Sequence, residues 1–218
     1  MNLIYVLLFI VLIYIVLKVS KTANPLSSSD RKEKDLAEAH YNRALIYAKE
    51  GPQQDLQKAL YWYTQAAEKG HIEAQWFLAG AYYQSGVQKN LQKAFYWYEK
   101  AAEQGLGVAQ YNLANMYLNG KGTEKDPQKA FYWYEKAAEQ GDAEAQSSLA
   151  LMYVNGQGVQ QDLKRAFYWY EKAAEQGNFI AQGMLGLMYM NGEGTEKDMK
   201  KAIYWCGKVA KDGDAEAG

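Results

Sequence analysis

The side chains of this 218-residue chain that could do chemistry are few and scattered. His40, His71 and Cys206 are its only imidazole and thiol groups. None lies near another in sequence, so no cluster has metal-ligand spacing. No nucleophile has a base beside it. Gly120-x-Gly122 and its copies resemble phosphate loops only superficially. They lack the following Lys-Ser/Thr and a preceding strand, and they end a helix rather than start one. Glu99-Lys100, Glu135-Lys136 and Glu171-Lys172 sit with Glu103, Glu139 and Glu175 on a face that reads as solvated, where they aid solubility. Paired acid and base carboxylates need a cleft, and nothing in the pattern points to one. The sequence therefore predicts no catalytic residue, no cofactor and no metal.

Composition narrows the classes further. The 24 Lys and Arg against 25 Asp and Glu leave a net charge of −1. Nucleic-acid binding needs a basic surface, so it is not expected. Apolar residues make up 49% of the chain, enough for a packed core. The aromatics are biased, with 19 Tyr and 6 Trp against 6 Phe, and the 3 Pro suit helices. A single cysteine excludes an internal disulfide framework without settling the compartment.

What must position any site is a repeat. Trp62, Trp97, Trp133, Trp169 and Trp205 are spaced by 35, 36, 36 and 36 residues. Around them the text recurs as KALYWYTQAAEKG, KAFYWYEKAAEQG (twice), RAFYWYEKAAEQG and KAIYWCGKVAKDG. From the second unit on, a second block precedes each: AQWFLAGAYY, AQYNLANMYL, AQSSLALMYV and AQGMLGLMYM. Each unit reads as two helices. In the third unit Ala109, Leu113, Met116 and Tyr117 share one stripe of a helix A over about Gly107 to Leu118. Asn119-Gly120-Lys121-Gly122 stops it, because glycine takes the left-handed conformation of a helix end. Asp126-Pro127 starts helix B with a cap and a first-turn proline. Helix B runs to about Gln140 and closes at Gly141, a glycine that recurs at 70, 105, 177 and 213. Ala109, Ala114, Ala130, Ala137 and Ala138 let the helix axes approach closely, and the Tyr and Trp rings fill the spaces between units. One unit cannot bury its own apolar face, whereas five stacked units can. The expected fold is all-α, a right-handed α/α superhelix of five helix-turn-helix repeats. Its units are 36–70, 71–105, 106–141, 142–177 and 178–213, with 214–218 opening an incomplete sixth.

The residues A-x-A-Q-x-x-L-[AG]-x-M-Y-x-x-G-x-G, followed by D-x-x-K-A-x-x-W-Y-x-K-A-A-x-x-G, resemble the Sel-1-like repeat, a relative of the tetratricopeptide repeat. The match holds almost letter for letter over Leu106–Gly141 and Asp142–Gly177, and it covers about four-fifths of the chain. The resemblance implies an adaptor or scaffold for protein complexes, often at membranes, in secretion or in signalling. Some bacterial members carry paired cysteines in every unit. This chain does not, so a function tied to that subgroup is not implied.

The ends depart from the pattern. In the first unit Arg43 stands where Leu78, Leu113, Leu149 and Leu185 stand later, and His40 replaces the recurring Gln. Polar substitutions of this kind suit a capping unit. Its A–B loop, Lys49-Glu50-Gly51-Pro52, is shortened. At the other end no polar capping helix follows, so either the chain is a truncated fragment or the last helix B exposes apolar surface for a partner. Cys206 stands there in place of Tyr, read as a small buried hydrophobe with a redox or intermolecular role as the alternative. Ahead of the repeats, Leu3 to Leu17 is unbroken apolar sequence, extending to Val19 if Lys18 snorkels. It lacks a basic start and a small-x-small cleavage site, which favours an uncleaved transmembrane anchor over residues 1–21 rather than a signal peptide. Lys18, Lys21, Arg31, Lys32 and Lys34 all follow it, so charge favours cytoplasmic repeats. A periplasmic or secreted domain is the alternative. Residues 22–35 read as a linker, with Thr22 to Ser29 its flexible part.

Positions that vary between units are free to carry function. On helix A they form a stripe at i, i+3, i+7 and i+10. It carries Trp76 and Tyr83 in the second unit; Tyr111, Asn115 and Leu118 in the third; Ser147 and Leu151 in the fourth; and Leu187 in the fifth. In tetratricopeptide-like stacks that stripe lines the concave groove, and here it is the expected peptide-binding surface. The reading is a membrane-anchored scaffold that holds a protein or peptide. An exported protein that binds cell-wall glycan or peptide, or a host factor, is the alternative.

Overall fold

Buried alanines such as Ala109, Ala114, Ala130, Ala137 and Ala138 let neighbouring helices pack closely. The structure, a computed structural model, describes residues 27–49, 53–84 and 90–216. Among these residues there are ten helices and no strand: α1 (Ser28–Lys49), α2 (Gln53–Glu68), α3 (Ile72–Tyr83), α4 (Leu91–Glu103), α5 (Gly107–Asn119), α6 (Pro127–Glu139), α7 (Ala143–Asn155), α8 (Leu163–Glu175), α9 (Phe179–Asn191) and α10 (Met199–Glu216). The main packing joins helices that are neighbours in the chain, so the molecule is an all-α helical repeat solenoid. The expected anchor at residues 1–21, with its membrane contact at 3–19, lies outside the described residues. No helix among the described residues is long and apolar enough to cross a membrane.

Most helices start where the sequence supplies a side-chain cap; α5, which follows Leu106, has none. Asp126 and Asp142 accept backbone N–H bonds from Lys129 (3.0 Å) and Ala145 (2.8 Å). Asn90 and Asn178 do the same for Lys93 (2.9 Å) and Ala181 (2.8 Å). These bonds satisfy donors that a helix start leaves unpaired. Helix A of units three to five ends at Gly120, Gly156 and Gly192, all left-handed. The second glycine of each loop has another task. A Cβ on Gly122 would run into the carbonyl of Leu91, and one on Gly194 into that of Leu163. These loops therefore lie directly on the start of the preceding unit's helix B.

Two expectations at the ends are corrected. The segment expected as linker, 22–35, is helical from Ser28 on. Ser27 Oγ accepts from Asp30 N (3.1 Å), and Ser27 N donates to Asp30 Oδ2 (3.2 Å), a reciprocal cap inside a Ser-rich stretch that reads as flexible. At the other end α10 runs through Gly213 to Glu216, so the break expected there, with a new helix at 214, is absent. Ala and Glu after the glycine are good helix formers and carry the helix on.

The core is one continuous cluster from Ala79 to Ala202, with a smaller one from Ala44 to Leu78. Trp97 and Tyr82 pack against both. All five recurring tryptophans lie half-buried against these clusters. Ala109, Leu113, Met116 and Tyr117 are buried together, on the stripe read from sequence.

A ladder of buried glutamines threads the stack. Gln75, Gln110 and Gln146 each donate through Nε2 to a last-turn carbonyl of the preceding helix B, Ala67, Ala102 and Ala138, at 3.1 Å. Their Oε1 atoms accept from Gln104 (2.8 Å), Gln140 (2.7 Å) and Gln176 (2.8 Å). One side chain thus ties three helices, adding a second donor to a carbonyl that already accepts from the glycine N–H of the closing turn. The end rungs are incomplete: His40 Nδ1 and Gln182 Oε1 are buried without partners.

Candidate functional site

Side-chain volume falls sharply at one point of the repeat. Where units three to five carry Asn115-Met116, Leu151-Met152 and Leu187-Met188, the second unit carries Gly80-Ala81. Met116, Met152 and Met188 are buried, and the methyl groups of Met116 and Met188 lie beside the loop glycines Gly122 and Gly194. With neither bulky residue present, a cavity of about 530 Å³ opens there. Leu56, Leu60 and Tyr63 of α2 form one wall. Trp76, Phe77, Gly80, Ala81 and Gln84 of the third helix and its end form another, and Ala48, Tyr98 and Asn112 close the sides.

The chemistry of this cavity is apolar. Among the described residues no charged side chain lines it. The Tyr63 and Phe77 rings stack at 5.3 Å, and Trp76 meets Phe77 edge-on at 4.8 Å. Burial pushes the Tyr98 hydroxyl up to about 12, and nearby Tyr83 adds to the rise; burial also raises Tyr63, with Tyr41 adding to it. Both therefore stay neutral over the ordinary pH range. Trp76 Nε1 is buried and has no hydrogen-bond partner.

The structure divides the expected stripe. Trp76 is half-buried on the cavity wall. Leu151 and Leu187 are exposed. The others have tasks inside the fold or at its loops. Asn115 accepts from the Tyr134 hydroxyl (2.9 Å) and donates to the Tyr111 carbonyl (3.1 Å). Tyr111 lies against Tyr134, ring centres 5.8 Å apart, and Leu118 packs on the core. The Tyr83 hydroxyl accepts from Lys121 Nζ at 2.8 Å. Ser147, placed on the groove by sequence, is only 5% exposed, because its position faces the neighbouring helices once Ala145 and Leu149 are packed. On α3 the face that meets the cavity is 76, 77, 80, 81 and 84, which keeps 76 and 80 of the expected stripe and adds the residues beside them. Phe77, Ala81 and Asn112 are the residues sequence reasoning missed. The signal for them was the local loss of volume, not the variability between units.

Elsewhere the polar groups serve structure. His71 Nδ1 accepts from Ala74 N (3.4 Å) as the cap of α3, and its Nε2 meets Glu38 at 3.0 Å. Its ring also stacks on Tyr41 at 4.2 Å. Among the described residues no group of three His, Cys, Asp or Glu is placed to hold a metal. Cys206, expected as a small buried hydrophobe, is exposed. Its Sγ nonetheless lies so close to Gly186 that a Cβ there would meet it at 2.6 Å. The thiol packs on a neighbouring helix that lacks a side chain at that point, and its outer side stays open.

Comparison with known proteins gives a consistent result. The Sel1 repeat family model matches residues 37–71, 72–106, 107–142, 143–178 and 180–214. No curated protein matches the chain. Among solved structures, a protective antigen present in uropathogenic Escherichia coli strains, displaying an SLR fold, is 37% identical with a TM-score of 0.77. The match covers 81% of this chain but only 38% of that one, so this chain spans well under half of that antigen's length. A Sel1 repeat protein from Oxalobacter formigenes is 35% identical with a TM-score of 0.74, over 84% of this chain and 74% of that one. The cysteine-rich protein B of Helicobacter pylori is 32% identical with a TM-score of 0.50, over 62% of this chain and 98% of that one.

Proposed function

Because the chain belongs to the Sel1 repeat family, whose members generally bind protein partners and are not catalytic, we propose that it is a membrane-anchored scaffold that holds a protein or peptide against its helix A surface. The observation that carries this is the uncharged cavity between the first and second units, set beside exposed Leu151 and Leu187 further along the stack. The buried polar groups described above bond chiefly to one another, which leaves apolar contact as the means of recognition. Anchoring rests on the apolar run Leu3–Leu17 and its extension to Val19, and the lysines that follow it favour repeats on the cytoplasmic side. The test compares two baits in membrane extract: the full chain, and a chain with Phe77, Leu151 and Leu187 replaced by Ser. Loss of a discrete partner from the second bait supports the reading, and identical captures contradict it. Retention of the chain in alkali-washed membranes supports the anchor, and release into the wash contradicts it.

A second reading has its own observation. Tyr96, Tyr132 and Tyr168 are each exposed and sit edge-on to Trp97 (4.8 Å), Trp133 (5.0 Å) and Trp169 (5.0 Å). Lys100, Lys136 and Lys172 lie over the same tyrosine rings at 5.9, 5.8 and 5.1 Å. A row of fixed rings suits stacking on sugars, as an exported glycan-binding repeat protein would need. The likeness to an antigen of uropathogenic Escherichia coli fits export. Mass analysis of the mature N-terminus separates the two: an intact start favours the anchor, and a trimmed start favours export.

A further inference from the structure

We infer that the cavity at Gly80-Ala81 is a socket for an aliphatic side chain, leucine or methionine, presented by a neutral peptide segment of the partner. The inference rests on the scaffold reading and names what that scaffold grips.

The repeat itself states the guest. At the same two positions, units four and five carry Leu151-Met152 and Leu187-Met188, whereas the second unit has a glycine and an alanine. The space is thus shaped by neighbours that in units four and five enclose a methionine side chain beside an exposed leucine. At about 530 Å³ it lies within the ~300–1,000 Å³ usual for binding pockets and holds more than one such side chain. The described residues of its walls carry no charge, so an acidic or basic guest would meet no partner among them, at a large cost in desolvation. The polar groups at its edge, Gln84 and Asn112, are amides, suited to a peptide backbone rather than to an ion. Trp76 adds a demand of its own. Its Nε1–H is buried and unpaired, and a guest carbonyl brought to the indole would satisfy it. An aliphatic side chain flanked by peptide carbonyls meets both requirements. A hydrocarbon meets only the first.

The test uses the ¹⁵N-labelled full chain and blocked pentapeptides, acetyl-Gly-Gly-X-Gly-Gly-amide with X as Leu, Met, Glu or Lys. The readout is the indole N–H resonance of Trp76, assigned by its loss in Trp76→Phe. The Leu and Met peptides should move that resonance and bind at least tenfold more tightly than the Glu and Lys peptides. Gly80→Leu places in the cavity the residue that units four and five carry there. A Cβ at position 80 comes only to 3.7 Å from the Tyr98 hydroxyl, an ordinary contact. This variant should keep its helicity and melt no lower than the parent chain while losing the peptide-induced shift. Toluene should enter without pairing the indole and move its resonance less than the Leu peptide does. Equal binding of charged and aliphatic peptides, or undiminished binding to Gly80→Leu, overturns the socket. If Gly80→Leu still captures the partner that the Phe77/Leu151/Leu187 triple variant loses, the socket is wrong and the scaffold stands. If neither bait captures a discrete partner, the scaffold reading falls as well.

Discussion

Leu113 and Leu149, in the third and fourth units, are fully enclosed, and their glutamines bond on both sides. At the same repeat positions the first unit has Arg43, exposed with its guanidinium 4.4 Å over Trp62, and His40, whose Nδ1 is buried without a partner. The second unit then lacks the bulky pair that closes the later ones. The chain uses one repeat grammar in two ways. Where the letters are regular, side chains lock units together. Where they depart, the core splits into a smaller cluster and a cavity opens beside it.

The strongest way to break this contrast is at a loop glycine. Gly122→Ala should cost about 3 kcal/mol or more. A Cβ there combines a φ of +74° with a collision against the Leu91 backbone. Gly105→Ala, at φ +97° with open space around it, should cost only about 1–2 kcal/mol of strain. Urea unfolding of both variants reads the difference, and equal costs would mean that the loops do not bear on the preceding unit.

Leucine deletion tests the two regions at one repeat position. Leu149→Ala should destabilise by about 3 kcal/mol, because it empties a fully buried site. Arg43→Ala should cost under about 1 kcal/mol, the worth of an exposed cation–ring contact. Similar values would erase the distinction between an inner and an outer unit.

Gly80→Leu should raise stability by roughly 1 kcal/mol, from helix propensity alone. Thermal unfolding of the variant checks this, and a clear loss would show that the cavity is already closed by packing.

The smallest effect concerns pH. Burial holds the hydroxyls of Tyr98 and Tyr170 at about 12, above their ordinary 10.0. pKa values raised in this sense give stability that is complete below pH 10 and is lost as pH rises from 10 to 12, because the unfolded state releases its protons first. One of these tyrosines sits in each region, so alkaline unfolding should weaken both together. A transition confined to the units around Tyr98 would mean that Tyr170 is less enclosed than its burial implies.

Much of this was legible in the sequence because it depends on local spacing. The tryptophan interval, the Leu113 stripe, the Asp126-Pro127 start and Gly120 each need only neighbours within a few residues. The glutamine ladder was visible as a recurring letter but not as a role. Its partners stand eight residues back and 29 or 30 ahead, and only the stack brings them together. The expected stripe meets the cavity at Trp76 and Gly80, whereas Ser147 lies inside and Phe77, Ala81 and Asn112 of the wall stand off that stripe. The linker was misread because a Ser-rich stretch contained its own helix cap at Ser27 and Asp30. Variability between units marked freedom from the stack, but it could not mark a cavity, which depends on absent volume.

The most direct measurement is hydrogen exchange along the full chain, with and without saturating Leu pentapeptide. The account predicts that amides of α5 to α8 exchange slowest and as one block, that those of α1 to α3 open more readily, and that the peptide slows exchange in α2 to α4 while leaving α6 to α9 unchanged. Uniform protection across all units, or peptide protection centred on α7 to α9, would contradict it.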